Sequence, residues 1–441
     1  MNKIIFSFIF LVILTGCGKK TADVTVLKPK AEHITVSFSG KPEFQPHSAE
    51  IRSMGFCLGL VYEPLFQIEE DGICVPVLAE KIVSRGNEAD IYLKEGVKWH
   101  DGSDFVPEDV VYTISLIAGG MSVYPKGIID GVKVKSKNCV TVYLKSPVWD
   151  AERLFTFPII KNNSPLSMKV PNGTGAYKYR GKLGFDTYLF EGSENNDLLP
   201  LRMIRVRDKE REDELFKCGI TDVIFVEESD LARYIPLADS IEIKYPTNHI
   251  TYIGFNCTSV PVEFRKALFY ALDTADIAED IWGSKVRPSV VPYLSGESFS
   301  YRRIPNITLA RSALTSCGYI SDEGKAVTLR IGVMNGDGHR ELAEKVSAVY
   351  GGLGVFCAIE EWSVNGAYDI TVGTDNSGGG LWNMLSAENA FNYNTDLLLS
   401  ASSVSEFNNI FFENLPFIPV AFRCHAVFYR EEAEKFPLFF R

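Results

Sequence analysis

Between residues 204 and 372 short β-branched runs alternate with amphipathic stretches, and this alternation constrains the fold more than any other feature of the 441-residue chain. Ile204 to Val206, Val223 to Val226, Ile241 to Tyr245, Tyr252 to Asn256, Val327 to Val333 and Tyr368 to Val372 read as strands. Arg211 to Lys217, Glu263 to Leu272, Leu309 to Cys317 and Arg340 to Tyr350 read as helices between them. Phe264, Leu268 and Leu272 lie at i, i+4, i+8, and Gly318 is placed to end the third helix. Strand and helix in turn is α/β patterning. A chain this long exceeds one core, since domains run about 100 to 200 residues, so two to four are expected. With 46% apolar and 23% charged residues it is globular rather than disordered or fibrous.

The first third reads differently. Ile34, Val36 and Phe38 alternate as an opening strand, and Ala49 to Phe66 suggests a short helix stopped at Glu63-Pro64. Asp90 to Lys94 is a strand running into a turn over Glu95 to Gly102. Pro107-Glu108-Asp109 opens a helix whose buried stripe is Val110, Val111, Ile114 and Ile117. Val132 to Leu144 reads as a hairpin about Ser136-Lys137-Asn138, 161–176 as a loop or crossing, and Gly373 to Gly380 as a glycine-rich loop.

Lys3 followed by the apolar stretch Ile4 to Leu14 is a secretory signal, too short to span a bilayer. Residues 18–32 are polar and aperiodic, a tether to a domain starting near His33. A net charge of -11 with no basic stripe argues against sequence-independent nucleic-acid binding. Beyond Cys17 stand Cys57, Cys74, Cys139, Cys218, Cys257, Cys317, Cys357 and Cys424, with no C-x-x-C; most read as small buried hydrophobes, with a few disulfides open to an exported chain.

Enzyme signatures are missing from the sequence. His33, His47, His100, His249, His339 and His425 are dispersed, with no H-E-x-x-H and no metal-ligand spacing. Gly318 to Lys325 departs from a phosphate loop, with five residues between its glycines and Ala326 where Ser or Thr should stand. Neither G-x-S-x-G nor G-x-G-x-x-G occurs. No catalytic group, cofactor or metal is expected.

Eight pieces in order carry a family resemblance. They are Tyr62 to Phe66, Val75 to Glu80, Leu93 to Gly102, Phe105 to Tyr112, Gly173 to Tyr177, Ile253 to Asn256, Phe264 to Asp273 and Pro416 to Pro419. Together they resemble the oligopeptide and dipeptide solute-binding proteins of ABC importers, and Leu14-Thr15-Gly16-Cys17 is similar to the bacterial lipoprotein box, in which the cysteine is acylated and anchors the chain. Three features depart from the family. Val106 replaces the capping Ser or Thr, at a cost of roughly 1 kcal/mol; 375–415 is short; and Gly373-Thr374-Asp375 stands where a tryptophan often follows the Tyr-Asp strand.

The resemblance implies a periplasmic-binding-protein type α/β fold: two lobes about a hinge, with an extra N-terminal α+β domain on lobe one. Its expected divisions are a signal peptide over 1–16, a lipidated tether over 17–32, lobe one over 33–60, 166–248 and 420–441, the extra domain over 61–165, and lobe two over 249–419. An extended peptide would lie on backbone of Gly373 and Thr374, with Asp375 taking its ammonium, Glu50 and Ile51 opposing from lobe one, and Trp362 and Trp382 flanking. Structural roles compete for each: turn bracing for Asp375, a surface helix start for Glu50 and Ile51, core packing for the tryptophans. The expected protein is a monomeric lipid-anchored receptor on the extracytoplasmic face, held in the bilayer through Cys17, passing small peptides to an ABC permease. A non-peptide ligand (chelated metal, haem, glutathione or sugar) and a lipoprotein with a degenerate cleft used in adhesion or signalling stay open as alternatives.

Overall fold

Ile34, Val36 and Phe38 put apolar side chains on one face of strand β1 (Ile34–Ser39), and Thr35 and Ser37 on the other face are buried too. A strand buried on both faces belongs inside a covered sheet. This computed structural model describes residues 32–47, 54–69, 72–121, 128–192, 198–231, 234–293, 303–318, 328–375, 381, 384, 391–430 and 433. Cys17, Glu50, Ile51 and Trp382 lie outside them, as do the signal peptide and all but the last residue of the tether.

Of the helix expected over 49–66, the described residues are helical only at Met54–Leu58; Leu60, Val61 and Tyr62 follow as buried, non-helical backbone. The chain then builds a separate unit. Strands β2 (Phe66–Ile68) and β3 (Cys74–Pro76) pair as a ribbon, and β4 (Ala79–Arg85), β5 (Glu88–Leu93), β6 (Ile129–Ser136) and β7 (Cys139–Leu144) form an antiparallel sheet in the order β4-β5-β7-β6. Ile91, Leu93, Val140, Val142 and Leu144 share a core with Trp99 and with Val110, Ile114 and Ile117, the helix Pro107–Leu116 lying over the sheet. Val111, expected in that stripe, is only half-buried.

Val106 has no side-chain acceptor for the start of this helix, but Asp109 makes good part of the loss. Its buried carboxylate accepts from Val106 N at 2.9 Å, Trp99 Nε1 at 3.0 Å and Asn162 N at 2.7 Å. One charged group thus ties the turn, the helix start and the returning chain together. His100 braces the same corner, donating from Nε2 to Gly175 O at 2.8 Å and accepting from Gly173 N at Nδ1 at 3.3 Å. Gly173 passes so close to the Val61 carbonyl that a Cβ there would lie 1.8 Å from its oxygen.

The chain returns through β8 (Tyr177–Leu183), β9 (Thr187–Gly192), β10 (Leu201–Val206), the helix Lys209–Lys217 and β11 (Val223–Val226). Next come β12 (Ser240–Phe255), β13 (Val286–Pro288), β14 (Thr328–Val333), β15 (Phe356–Glu361), β16 (Ile370–Asp375) and β17 (Phe417–Arg430). They join one sheet in the order β15-β14-β16-β12-β17-β11-β1-β10-β9-β8, with β13 against β17. One half packs around Val36, Phe38, Phe190 and Met203, the other around Ile331, Val372, Phe264 and Phe417. These are two lobes with two cores, and β12 and β17 run through both.

The paired crossing corrects a sequence expectation. Ile241–Tyr245 and Tyr252–Asn256 read as two strands with loop-like sequence between, yet β12 is continuous over 16 residues. Its pairing with β17 runs from Ser240 opposite Arg430 to Pro246 opposite Cys424, slips, and resumes at Ile250 opposite Phe422. Pro246 donates no N–H and Thr247-Asn248-His249 breaks the apolar alternation, so the local signal stops where the ladder does not. Thr247 Oγ1 bonds Arg423 O at 3.0 Å and His249 N at 3.0 Å, bridging the slip. Likewise Gly373, Thr374 and Asp375, read as a loop, complete β16, opposite Tyr252, Thr251 and Ile250. All eight described cysteines are free; only Cys57, Cys139 and Cys424 are buried.

Candidate functional site

In open α/β sheets ligands settle beyond the carboxyl ends of parallel strands. Here β14 runs parallel to β15 and β16, and β1 parallel to β10 and β11. Asp375 ends β16 opposite Ile250, and Val226 ends β11 opposite Ala426. The carboxyl edges of both lobes therefore converge on the crossing at Pro246–Ile250 and Phe422–Cys424, which forms the floor between them.

On the lobe-two side, Gly373 leaves no room for a side chain, because a Cβ would stand 2.3 Å from Met334 Sδ. Thr374 Oγ1 lies 2.9 Å from Thr251 Oγ1 and 2.8 Å from Nε2 of buried His339, whose Nδ1 lies 3.0 Å from Met334 O. That Thr374 side chain is spoken for within the protein; its backbone faces the β14 side beyond the last β14 pair, Val333 with Val372, while Gly373 pairs with Tyr252. Burial holds the His339 imidazole below its usual range. Trp362 follows β15, its N–H on Val333 O at 2.9 Å, and at 40% exposed it is not a core residue. With β14 between them, Trp362 and Asp375 sit at the same edge two strands apart, roughly 10 Å of backbone spacing. The structure thus groups Gly373, Thr374, Asp375 and Trp362 along one edge.

The lobe-one side holds residues that sequence reasoning passed over. Glu228 opens the short helix Glu228–Leu231 after β11, and its Oε2 lies 3.0 Å from Nδ1 of His249 on β12. Glu228 N donates to Nδ1 of His425 on β17 at 2.9 Å. Arg423 Nε lies 3.3 Å from Glu228 Oε1, an ion-pair approach without hydrogen-bond alignment, while Arg423 Nη2 donates to Asp337 O at 3.1 Å. Its guanidinium also lies 5.1 Å from the Trp282 ring, whose Nε1 donates to that same carbonyl at 3.0 Å. Burial pushes the Glu228 carboxyl up, but the His249 hydrogen bond and the charges of His249, Arg423 and His425 outweigh it and hold the group below the usual carboxylate range. Burial, with His249 adding to it, lowers His425 to about 4. Glu228 and His425 stand 197 residues apart, so no local motif could announce them.

Both ring nitrogens of His100 meet backbone, Nε2 at Gly175 O and Nδ1 at Gly173 N, a bracing role for the turn. Among the described residues no group of three or more His, Cys, Asp or Glu is placed to hold a metal ion, and no helix is long and apolar enough to cross a membrane.

The family model of the bacterial extracellular solute-binding proteins, family 5 (middle), matches residues 74–370, and the chain belongs to that family. Its members are substrate-binding proteins of ABC transporters rather than enzymes. Solved structures share the fold. A nickel ABC transporter protein from Bacillus halodurans superposes with a TM-score of 0.69 at 16% identity, over 91% of this chain and 95% of its own. An ABC transporter substrate-binding protein from Sinorhizobium meliloti gives 0.66 at 17%, over 90% and 95%, and the periplasmic murein tripeptide binding protein MppA in an unliganded open form gives 0.64 at 17%, over 91% and 94%. No curated protein sequence matches the chain. The two-lobe α/β architecture expected from the sequence, and the solute-binding role in an ABC importer, stand on this match and on the sheet itself.

Proposed function

We propose that this chain is a lipid-anchored, extracytoplasmic receptor that encloses a small peptide between its lobes and delivers it unchanged to an ABC permease. The observation that carries the peptide is the carboxyl edge of β16. There β14 ends with Val333 opposite Val372, so the β14-facing backbone of Thr374 lies beyond that ladder, Gly373 pairs with Tyr252 and keeps the strand close to Met334, and Asp375 ends the strand at the crossing. Strand backbone left unpaired beyond the end of a neighbouring strand can bind an extended peptide without reading its side chains, and one carboxylate fixes its ammonium. Trp362, exposed on the same edge, would wall the pocket, with Glu50, Ile51 and Trp382 completing it. The strand crossings of β12 and β17 support the division into lobe one (33–60, 166–248, 420–441), extra domain (61–165) and lobe two (249–419). Acylation of Cys17 would tether the receptor as a monomer beside its permease.

Native mass spectrometry of the purified protein tests this reading. A co-purifying peptide supports it; a chelated metal, haem or sugar in its place would keep the fold and replace the cargo. An empty protein that gains no thermal stability from a peptide library would refute peptide capture, because a ligand at 100 times its Kd adds about 2.7 kcal/mol.

A further inference from the structure

Arg423 is an arginine in a place built for apolar side chains. Its neighbours along β17, Ala421, Phe422, Cys424, Ala426 and Val427, are buried, and its own side chain is 8% exposed. Burying a guanidinium is costly unless its partners are well placed, so the partners say what it does. They come from both sides of the crossing. Glu228 belongs to the lobe-one helix after β11, Asp337 to the lobe-two loop before the helix His339–Gly352, and Trp282 to the end of the lobe-two helix Thr274–Trp282. A planar guanidinium held at Glu228 and at the Asp337 carbonyl cannot follow both if one lobe turns against the other. The bond from Thr247 Oγ1 to Arg423 O fixes its backbone at the slipped part of the ladder, where the strand pair is least regular.

We infer that Arg423, with Glu228, is the positioning residue of the hinge: it sets the angle between the lobes, and through that angle the affinity for whatever the cleft encloses. The second half of this inference rests on the binding role proposed above; the first half does not. Protonation should loosen the arrangement. The Glu228 N–H donates to His425 Nδ1, so that nitrogen must be unprotonated, and a proton there would remove the acceptor and set a cation near Arg423. The groups facing His425 and Glu228 are Glu227 and Lys209 from lobe one, Tyr245 and His249 from β12, Arg423 and Cys424 from β17, and Asp337 and His339 from lobe two.

Hydrogen exchange by mass spectrometry on the ligand-free full chain tests the positioning role directly. At pH 7, Arg423→Met should accelerate exchange about tenfold or more in 240–255 and 417–430 while leaving 79–144 unchanged. Glu228→Gln should give the same pattern more weakly, and Arg423→Lys an intermediate one, because lysine keeps the charge without the fork of donors. Corrected for intrinsic chemistry, the wild type at pH 4.5, where an imidazole lowered to about 4 is about a quarter protonated, should move part of the way toward the pattern of Arg423→Met, and that variant should change little with pH. Exchange in the two segments that stays as in the wild type, or rises equally across the chain, would overturn the inference. A hinge that loosens as expected in a protein that binds no peptide would leave the latch standing and remove the proposed cargo.

Discussion

Asp109→Asn isolates what one buried carboxylate contributes to the extra domain. Trp99 Nε1 and Val106 N both donate to Oδ2, at 3.0 and 2.9 Å, and Asn162 N donates to Oδ1 at 2.7 Å. Asparagine keeps one oxygen, so whichever way its amide is turned its NH2 meets at least one N–H. The variant therefore loses at least one charge-assisted bond, each contributing about 1.5–3 kcal/mol, and buries opposed donors in its place; about 2–4 kcal/mol is the expected loss. At roughly 4–8 °C per kcal/mol for a unit of that size, the corresponding calorimetric transition should fall by at least about 8 °C. Asp104→Asn is the control: Asp104 pairs with Lys98 at an exposed site, where an ion pair contributes at most about 1 kcal/mol. If the two variants shift the transition equally, Asp109 is not the tie described here.

Three further outcomes follow from the same reasoning. Asp375→Asn should weaken binding of a co-purifying peptide roughly 30- to 3,000-fold by calorimetry, the loss of a buried charge partner costing about 2–5 kcal/mol, and a drop under about threefold removes Asp375 from the site. His47 and His425 are both lowered to about 4, chiefly by burial. The unfolded chain thus takes up protons first as pH falls from about 6.5 to 4, stability drops across that window by up to roughly 3 kcal/mol for each group, and urea unfolding of His47→Gln or His425→Gln should show a flatter pH dependence. In Gly173→Ala the new Cβ would stand 1.8 Å from a backbone oxygen, so the corner must move; a loss under about 1 kcal/mol in urea unfolding would refute that contact.

Local chemistry made much of the fold legible. Period-2 alternation marked β1, short β-branched runs marked β11 and β14, and Pro107 with its carboxylates marked the helix Pro107–Leu116, because these elements are specified by their own residues. Trp99, Asp109 and the Gly173-Thr174-Gly175 run appeared as a spaced motif, and the structure shows why: they meet at one corner of the extra domain. Signals failed where a neighbour supplied the order. β12 continues through Pro246 and His249 because β17 carries the ladder past them, and β16 extends to Asp375 because β12 pairs with it.

The sequence by itself determined the alternation of strands and helices, the acidic balance, and the family pieces in their order, since each is written in neighbouring residues. Only the tertiary structure brought Glu228, His249, Arg423 and His425 to one point on the floor between the lobes. The physical reason is that a strand crossing joins residues nearly 200 positions apart through pairing, and pairing leaves no periodicity for a single segment to display.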